Sequence, residues 1–180
     1  NKALKLSSKL QPILSEQQIV DCCGLSGYRC NGCTSGNIGS TFDFLAAKGI
    51  ATSNNYPYTG FASSCYLNRV THQAIFKDQD PITDVWINYL LYYLRNYGPV
   101  VVAADAGSWK FYNEGIFDGC ARSNFNYTHA ITIIAVDNTS LTVRNSWGSD
   151  WGENGYIRLK RQSGVNICGI YNYVFYPVVN

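Results

Sequence analysis

Apolar residues recur at helical spacing in the first part of the chain and predict three helices. Ser15 stands three residues ahead of a glutamine and just before an apolar pair, a capping-box pattern that predicts a short helix over residues 16–23. A second apolar stripe begins at Ile38 and stops at Gly49, a residue type suited to helix C-termini. A third stripe predicts a helix over residues 84–97.

The second part of the chain carries β-branched and apolar runs that are bounded by turn residues. The tripeptide Asp137-Asn138-Thr139 is typical of a turn between two strands. The order of elements predicts an α+β fold in one domain, mainly helical over residues 1–80 and mainly β over 81–180. The predicted strands cover residues 100–104, 130–136, 140–145 and 155–159.

Composition narrows the class of protein without identifying it. Hydrophobic residues make up 46% of the 180 residues and charged residues 14%, which suits a folded domain. The formal net charge is +2 and the basic residues are scattered, so we expect no nucleic-acid partner. No apolar run approaches the roughly 20 residues of a membrane span. We expect no cofactor and no bound metal ion.

Seven cysteines in a chain of this size indicate an oxidising compartment. Four of them lie close together and contain one Cys-x-x-Cys pair, which leaves a zinc site as an alternative to disulfides; they are Cys22, Cys23, Cys30 and Cys33. The short spacing and the adjacent pair favour disulfides. The odd total leaves at least one cysteine without a partner in the chain. Two glycosylation sequons, at Asn126 and Asn138, are compatible with a secretory route.

The candidate chemistry lies in the last third of the chain. His129 stands at the head of an apolar strand, and Asn145 ends the following strand across a short hairpin. The two side chains are therefore expected to be neighbours across strands. An amide oxygen that accepts one imidazole proton would fix the tautomer and leave the other nitrogen for a nucleophile. Trp147 is expected to cover the pair. His72, the other histidine, has no supporting pattern and is interpreted as a surface residue.

Short sequence motifs along almost the whole chain resemble those of the papain-like cysteine proteases. The resemblance includes His129-Ala130 and Asn145-Ser146-Trp147-Gly148, in the order typical of the family. It implies a helical left lobe and a barrel-like right lobe, with His129 as general base, Asn145 as its orienting partner and Trp147 as a shield. The matching segments are residues 14–22, 32–36, 56–58, 98–100, 111–117, 129–130, 145–148 and 168–169.

The nucleophile of that family is expected to lie outside this chain. Its Cys-Gly-Ser-Cys-Trp-like segment has no counterpart here, and no cysteine precedes Cys22. We therefore expect a segment with the nucleophile to have been omitted, or to be carried by a separate chain. The 180 residues by themselves are expected to be inactive.

The resemblance also implies the disulfide pattern. Cys22 would pair with Cys65, and Cys120 with Cys168. The two cysteines that the family pattern does not include, Cys23 and Cys30, would close a small local loop. Cys33 would then be unpaired here, because its family partner lies just before the nucleophile. Loss of a disulfide from a small domain costs about 2–5 kcal/mol, which favours an omitted segment over a natural absence.

On the substrate side, the resemblance assigns six residues to binding. Gly36 matches a glycine whose backbone pairs with an extended substrate. Ser35 replaces the first of two glycines usual there and crowds that edge. Tyr173 is expected at the floor of the S2 pocket, which it would shorten and make more polar. The other assigned residues are Asn37, Ile38, Ala104 and Ala130.

The sequence thus predicts a cysteine-type endopeptidase with a Cys-His-Asn site. The alternative is a catalytically inactive papain-like paralogue that acts as a binding or structural component. The expected partners are a peptide or protein substrate and a propeptide. The expected location is secreted or in the lysosomal or vacuolar lumen.

Overall fold

The computed structural model of the chain describes residues 12–70 and 87–177. These residues form two compact units, one made of residues 12–70 with Pro177 and the other of residues 87–176. His72 and the first residues of the third predicted helix, 84–86, lie outside the described residues. None of the helices in the described ranges is long and apolar enough to cross a membrane.

Two helices organise the unit of residues 12–70. Helix α1 covers Glu16–Cys22, and the Ser15 hydroxyl caps it by accepting the Gln18 N–H at 3.1 Å. Helix α2 covers Ile38–Lys48 and ends at Gly49, whose φ of +73° suits a residue without a side chain. Both helices lie where the capping and apolar patterns predict them.

A short hairpin and an apolar cluster complete this unit. Strand β1 (Cys30–Asn31) pairs antiparallel with strand β2 (Ser35–Gly36). Disulfides Cys22–Cys65 and Cys23–Cys30 tie α1 to the loops around it. These bonds exclude the four-cysteine zinc alternative, because three of its ligands are already paired. The buried members of the cluster are Cys22, Cys23, Phe44, Leu45, Ile50, Ala51 and Tyr56.

The unit of residues 87–176 is built on a sheet of six strands in the order β4-β7-β6-β5-β3-β8. All neighbours in it are antiparallel except β4 and β7, which are parallel. Helix α3 covers Ile87–Asn96 and contacts β5. The strands are β3 (Val100–Ala104), β4 (Ile116–Phe117), β5 (His129–Val136), β6 (Ser140–Arg144), β7 (Tyr156–Lys160) and β8 (Val174–Phe175).

The α+β class predicted from the sequence is confirmed by these helices and this mixed sheet. Alternation decides which strand residues form the core: in β3, Val100, Val102 and Ala104 have no exposed surface, while the residues between them are half-buried. The four predicted strands are all present, each within one residue of its expected bounds. Strands β5 and β6 then bring their facing ends, at His129 and Asn145, to the same rim of the sheet.

Candidate active site

His129 and Asn145 form a direct hydrogen bond at the rim of the sheet. His129 is the first residue of β5, and Asn145 follows the last residue of β6. The antiparallel ladder pairs Thr132 with Arg144, which carries the two ends toward each other. The imidazole Nε2 lies 2.7 Å from Asn145 Oδ1. The Asn145 backbone N–H also donates to the Gly155 carbonyl at 3.0 Å, so the amide-bearing residue is held from both sides.

A neighbouring backbone group determines the tautomer of His129. The Ser146 N–H, which can only donate, lies 2.8 Å from Asn145 Oδ1. That atom is therefore the carbonyl oxygen of the amide, and Nε2 of the imidazole must carry the proton that it accepts. In the neutral ring Nδ1 is then an unprotonated acceptor. None of the hydrogen bonds among the described residues uses Nδ1, so it is available to a reacting group.

The Trp147 indole covers this pair. Its ring centroid lies 5.1 Å from that of the imidazole, at an interplanar angle of 31°. Trp147 as a whole is 42% exposed, so one part of the residue faces solvent while its ring packs against the imidazole. A hydrogen bond that is screened from water keeps more of its strength than an exposed one.

A set of aromatic residues that no sequence pattern singled out holds Trp147 in place. Trp151 packs edge-on against Trp147 with centroids 5.0 Å apart, and its Nε1–H donates to the Trp109 carbonyl at 3.3 Å. Trp109 is fully buried and lies 6.5 Å from Trp147. The repeated Trp-Gly dipeptide at 147 and 151 was the available signal. Gly152 is required here, because its φ is +56° and a Cβ would lie 2.6 Å from the Tyr156 carbonyl oxygen and 2.9 Å from the Tyr112 ring.

Trp147 and Trp151 lie in the loop between β6 and β7, and an ion pair anchors the end of this loop that leads into β7. Both Glu153 oxygens accept from the Arg158 guanidinium, at 2.8 and 2.6 Å, and one also accepts the Gly115 N–H at 2.8 Å. The hydrogen bond from Arg158 is the main reason that the pKa of Glu153 falls to about 2. The carboxylate thus joins the loop that carries Trp147 to strands β4 and β7.

Three of the expected substrate-binding residues belong to the unit of residues 87–176. Ala104 pairs with His129 in the β3–β5 ladder and has no exposed surface. Its half-buried neighbour Ala103 lies opposite Ala130, which is exposed, and directly opposed residues share one face of a sheet. Tyr173 is 43% exposed, and its carbonyl accepts the Ala103 N–H at 3.2 Å. Ala103, Ala130 and Tyr173 are therefore the residues that lie together.

The three remaining binding candidates belong to the unit of residues 12–70. Gly36 is an exposed residue of β2, as its proposed contact through the backbone requires. The Asn37 side chain accepts the Ser40 N–H at 2.9 Å and caps α2, so its oxygen is already engaged. Ile38 is the half-buried first residue of that helix.

The cysteines and the glycosylation candidates are placed as follows. A third disulfide joins Cys120 to Cys168, and Cys33 is a free, exposed thiol. Asn126 and Asn138 are both exposed. Asn126 lies three residues before His129, whereas Asn138 lies in the turn between β5 and β6, at the other end of β5.

Known proteins are similar to this chain in both sequence and fold. A family model described as "Papain family cysteine protease" matches residues 1–178. Vignain of Vigna mungo is 40% identical over 93% of this chain and 48% of its own length. Cathepsin L 1 of Paramecium tetraurelia is 34% identical over 99% of this chain and 53% of its own. The chain thus spans about half the length of these curated relatives.

Solved structures agree with this result. A cysteine protease of Carica candamarcensis superposes with a TM-score of 0.84 at 28% identity, covering 98% of this chain and 82% of that one. Bromelain of Ananas comosus gives 0.83 at 30% identity, covering 99% and 83%. With the His129–Asn145–Trp147 arrangement set on the same fold, the chain belongs to the papain family of cysteine proteases.

Proposed function

We propose that this chain carries the general base of a cysteine-type endopeptidase. His129 is the base, Asn145 orients it and Trp147 shields the bond between them. The observation that supports this most is the pair of hydrogen bonds on Asn145 Oδ1, from His129 Nε2 at 2.7 Å and from the Ser146 N–H at 2.8 Å. Together they leave Nδ1 free to take a proton from a thiol.

The reaction would follow the usual course for a thiol nucleophile. Nδ1 accepts the thiol proton, and the thiolate attacks the carbonyl carbon of the scissile peptide bond. The His129 imidazolium then returns this proton to the leaving amine, and a thioester remains. Water, deprotonated by the same imidazole, hydrolyses the thioester and regenerates the thiol. Asn145 keeps Nε2 protonated throughout, so each proton transfer uses the same nitrogen.

The reacting thiol, we propose, comes from a residue outside these 180. Six of the seven cysteines are in disulfides and cannot act as thiolates. The seventh, Cys33, is a free, exposed thiol in the loop between β1 and β2, at a position where the family resemblance implies a disulfide cysteine and not the nucleophile. The 180 residues alone are then expected to show no turnover.

The substrate would be a peptide in extended form. Gly36 would pair with its backbone, and Tyr173, with Ala103 and Ala130, would line the pocket for the P2 side chain. Replacing Tyr173 by Ala should broaden P2 acceptance, as measured with a library of fluorogenic dipeptide substrates. An unchanged P2 profile would remove Tyr173 from the pocket.

Two further parts of the proposal concern regulation and location. Procathepsins L of Tenebrio molitor are among the similar solved structures, at a TM-score of 0.79 for one of them, which supports a propeptide here. Three disulfides in the described residues support an oxidising compartment, either secreted or lysosomal.

The central test uses the full-length protein as its source produces it. His129→Ala should lower kcat by about 10²–10⁴-fold, the range that a positioned acid–base group contributes. Asn145→Ala should lower it less, because the imidazole remains. The control is His72→Ala, which removes the other histidine of these 180 residues. Activity retained by His129→Ala would overturn the assignment, and a wild-type protein without hydrolysis or thiol labelling would establish the inactive paralogue.

A further inference from the structure

The segment that leads into His129 is held by two successive residues at the end of strand β3, Ala104 and Asp105. The Thr128 N–H donates to the Ala104 carbonyl at 3.2 Å, which continues the β3–β5 ladder by one bond. Two residues earlier, the Asn126 N–H donates to Asp105 Oδ2 at 3.1 Å. A main-chain bond at Thr128 and a carboxylate at Asn126 therefore both hold the backbone just before the imidazole.

Asp105 itself is tied to two other places. Its Oδ1 accepts the Gly107 N–H at 3.3 Å, and its own N–H donates to the Cys168 carbonyl at 2.9 Å. Cys168 is bonded to Cys120, so this support is cross-linked. The half-buried carboxylate belongs to none of the ion pairs within the described ranges. What it does there is accept N–H groups from two different segments.

We propose that Asp105 is a positioning residue for His129. Asp105 acts through the backbone of residues 126–128. The proposal rests on the proposed function of His129 as general base. Proton transfer requires a nitrogen within hydrogen-bond reach of the thiol, and a misplacement of about 1 Å can cost about 10²-fold in rate. Without Asp105 the segment loses the backbone bond at Asn126, while the Thr128 N–H bond to Ala104 and the bond from Asn172 Nδ2 to the Tyr127 hydroxyl at 2.6 Å remain.

A carboxylate is the side chain that this position needs. The two N–H donors meet different oxygens, and both of these oxygens can only accept. Asparagine has a single oxygen and would turn its NH₂ group toward one of the two donors. Asp105→Asn should therefore retain one of the bonds and lose the other, whereas Asp105→Ala loses both.

The chain offers a matched control in Asp137, at the opposite end of β5. Its Oδ1 accepts the N–H groups of Thr139 and Ser140, both at 2.7 Å, so it too is a carboxylate that holds a turn. Strand β5 has eight residues, which places this turn about 25 Å from His129 at roughly 3.3 Å per residue. Asp137→Ala should loosen the unit to a similar degree without reaching the imidazole.

The experiment measures kcat, KM and the melting temperature of full-length Asp105→Ala, Asp105→Asn and Asp137→Ala, with rates normalised by active-site titration. Asp105→Ala should lower kcat about tenfold with KM within about twofold, and Asp105→Asn should fall between it and wild type. Asp137→Ala should lower the melting temperature and leave kcat unchanged. Equal kcat for Asp105→Ala and Asp137→Ala would overturn the inference.

The two proposals fail in different ways. If the wild-type protein does not hydrolyse peptides, or if His129→Ala remains active, the proposed function is wrong and the role of Asp105 falls with it. If the wild-type protein is active and loses activity on His129→Ala, but not on Asp105→Ala, only the positioning role is wrong.

Discussion

In the unit of residues 12–70, four polar side chains on α1 and its cap are at most 3% exposed, yet all of them are hydrogen-bonded. The unit of residues 87–176 differs in this respect. Two buried side-chain atoms there, Asn145 Nδ2 and Tyr171 Oη, have no hydrogen-bond partner within the described residues. One of them belongs to the amide that orients His129.

The difference follows from what holds each unit together. Within the described residues, the sheet of the unit of residues 12–70 is a two-stranded hairpin, so disulfides and a buried polar network supply much of its unique structure. Asp21 is the centre of that network and accepts bonds from Gln17, Tyr56 and Ser63. The larger unit has a six-stranded sheet and can leave a polar atom unpaired beside its site, where such exceptions are expected.

The largest predicted effect comes from breaking the network at its centre. Asp21→Ala should lower the free energy of unfolding by roughly 3–5 kcal/mol, because each buried donor left without a partner costs about 1–3 kcal/mol. Urea denaturation at neutral pH measures this. The control is Glu16→Ala, an exposed acid on the same helix, which should cost less than about 1 kcal/mol. Similar losses for both variants would show that burial of the network contributes little.

The next largest effect on stability is expected from two buried tyrosines, of which one is hydrogen-bonded and the other is not. Tyr56 donates to Asp21 Oδ2 at 2.8 Å, whereas the Tyr171 hydroxyl has no partner within the described residues. Tyr56→Phe should therefore cost about 1.5–3 kcal/mol, the value of a hydrogen bond to a charged group. Tyr171→Phe should be neutral or slightly stabilising, since it removes a buried hydroxyl that gains nothing. Equal losses from the two substitutions would contradict the contrast between the units.

The same tyrosines predict the response to alkaline pH. Burial is the largest cause that raises the pKa of each to about 12, from an ordinary value of 10.0. Between these two values the unfolded chain releases the proton while the folded one retains it, so stability is lost as pH rises through this window. Either Tyr→Phe variant should show a shallower decline between pH 10 and 12. A parallel decline in both variants and wild type would exclude these groups as its source.

The smallest effect is expected at the Glu153–Arg158 pair, whose side chains are 27% and 40% exposed. Glu153→Gln should cost about 1 kcal/mol or less at pH 7, as for other exposed pairs. Its folded pKa of about 2 lies below the ordinary 4.5. The contribution of the carboxylate is therefore present above pH 4.5 and is lost as pH falls toward 2. The variant should lose this part of the acid dependence, measured by thermal unfolding at a series of pH values.

Local signals account for what the sequence predicted well. The Ser15 cap and Gly49 set the bounds of α1 and α2, and β-branched runs bounded by turn residues set the four main strands. His129 and Asn145 could be paired in advance because a single short turn joins their strands. These features depend on residues that are close along the chain.

Features that depend on distant segments were not predictable in the same way. The choice between Ala103 and Ala104 rests on the β3–β5 register, and a shift of one residue exchanges the faces of a strand. Both residues are alanine, so no change in polarity marked the buried one. The bond from Asn126 to Asp105 spans 21 positions and involves a backbone N–H, which no side-chain pattern reveals.

The shared oxygen of Asn145 also has a consequence for solvent exchange. The Trp147 indole packs against the imidazole of His129, and the Nε2 proton of that ring is donated to this oxygen. The exchange of this proton with bulk water must wait until the indole moves or the strand ends separate. In a proton NMR spectrum the Nε2–H resonance would therefore persist when exposed imidazole protons have already broadened away. This single resonance would report on the integrity of the site in the resting protein, without any substrate.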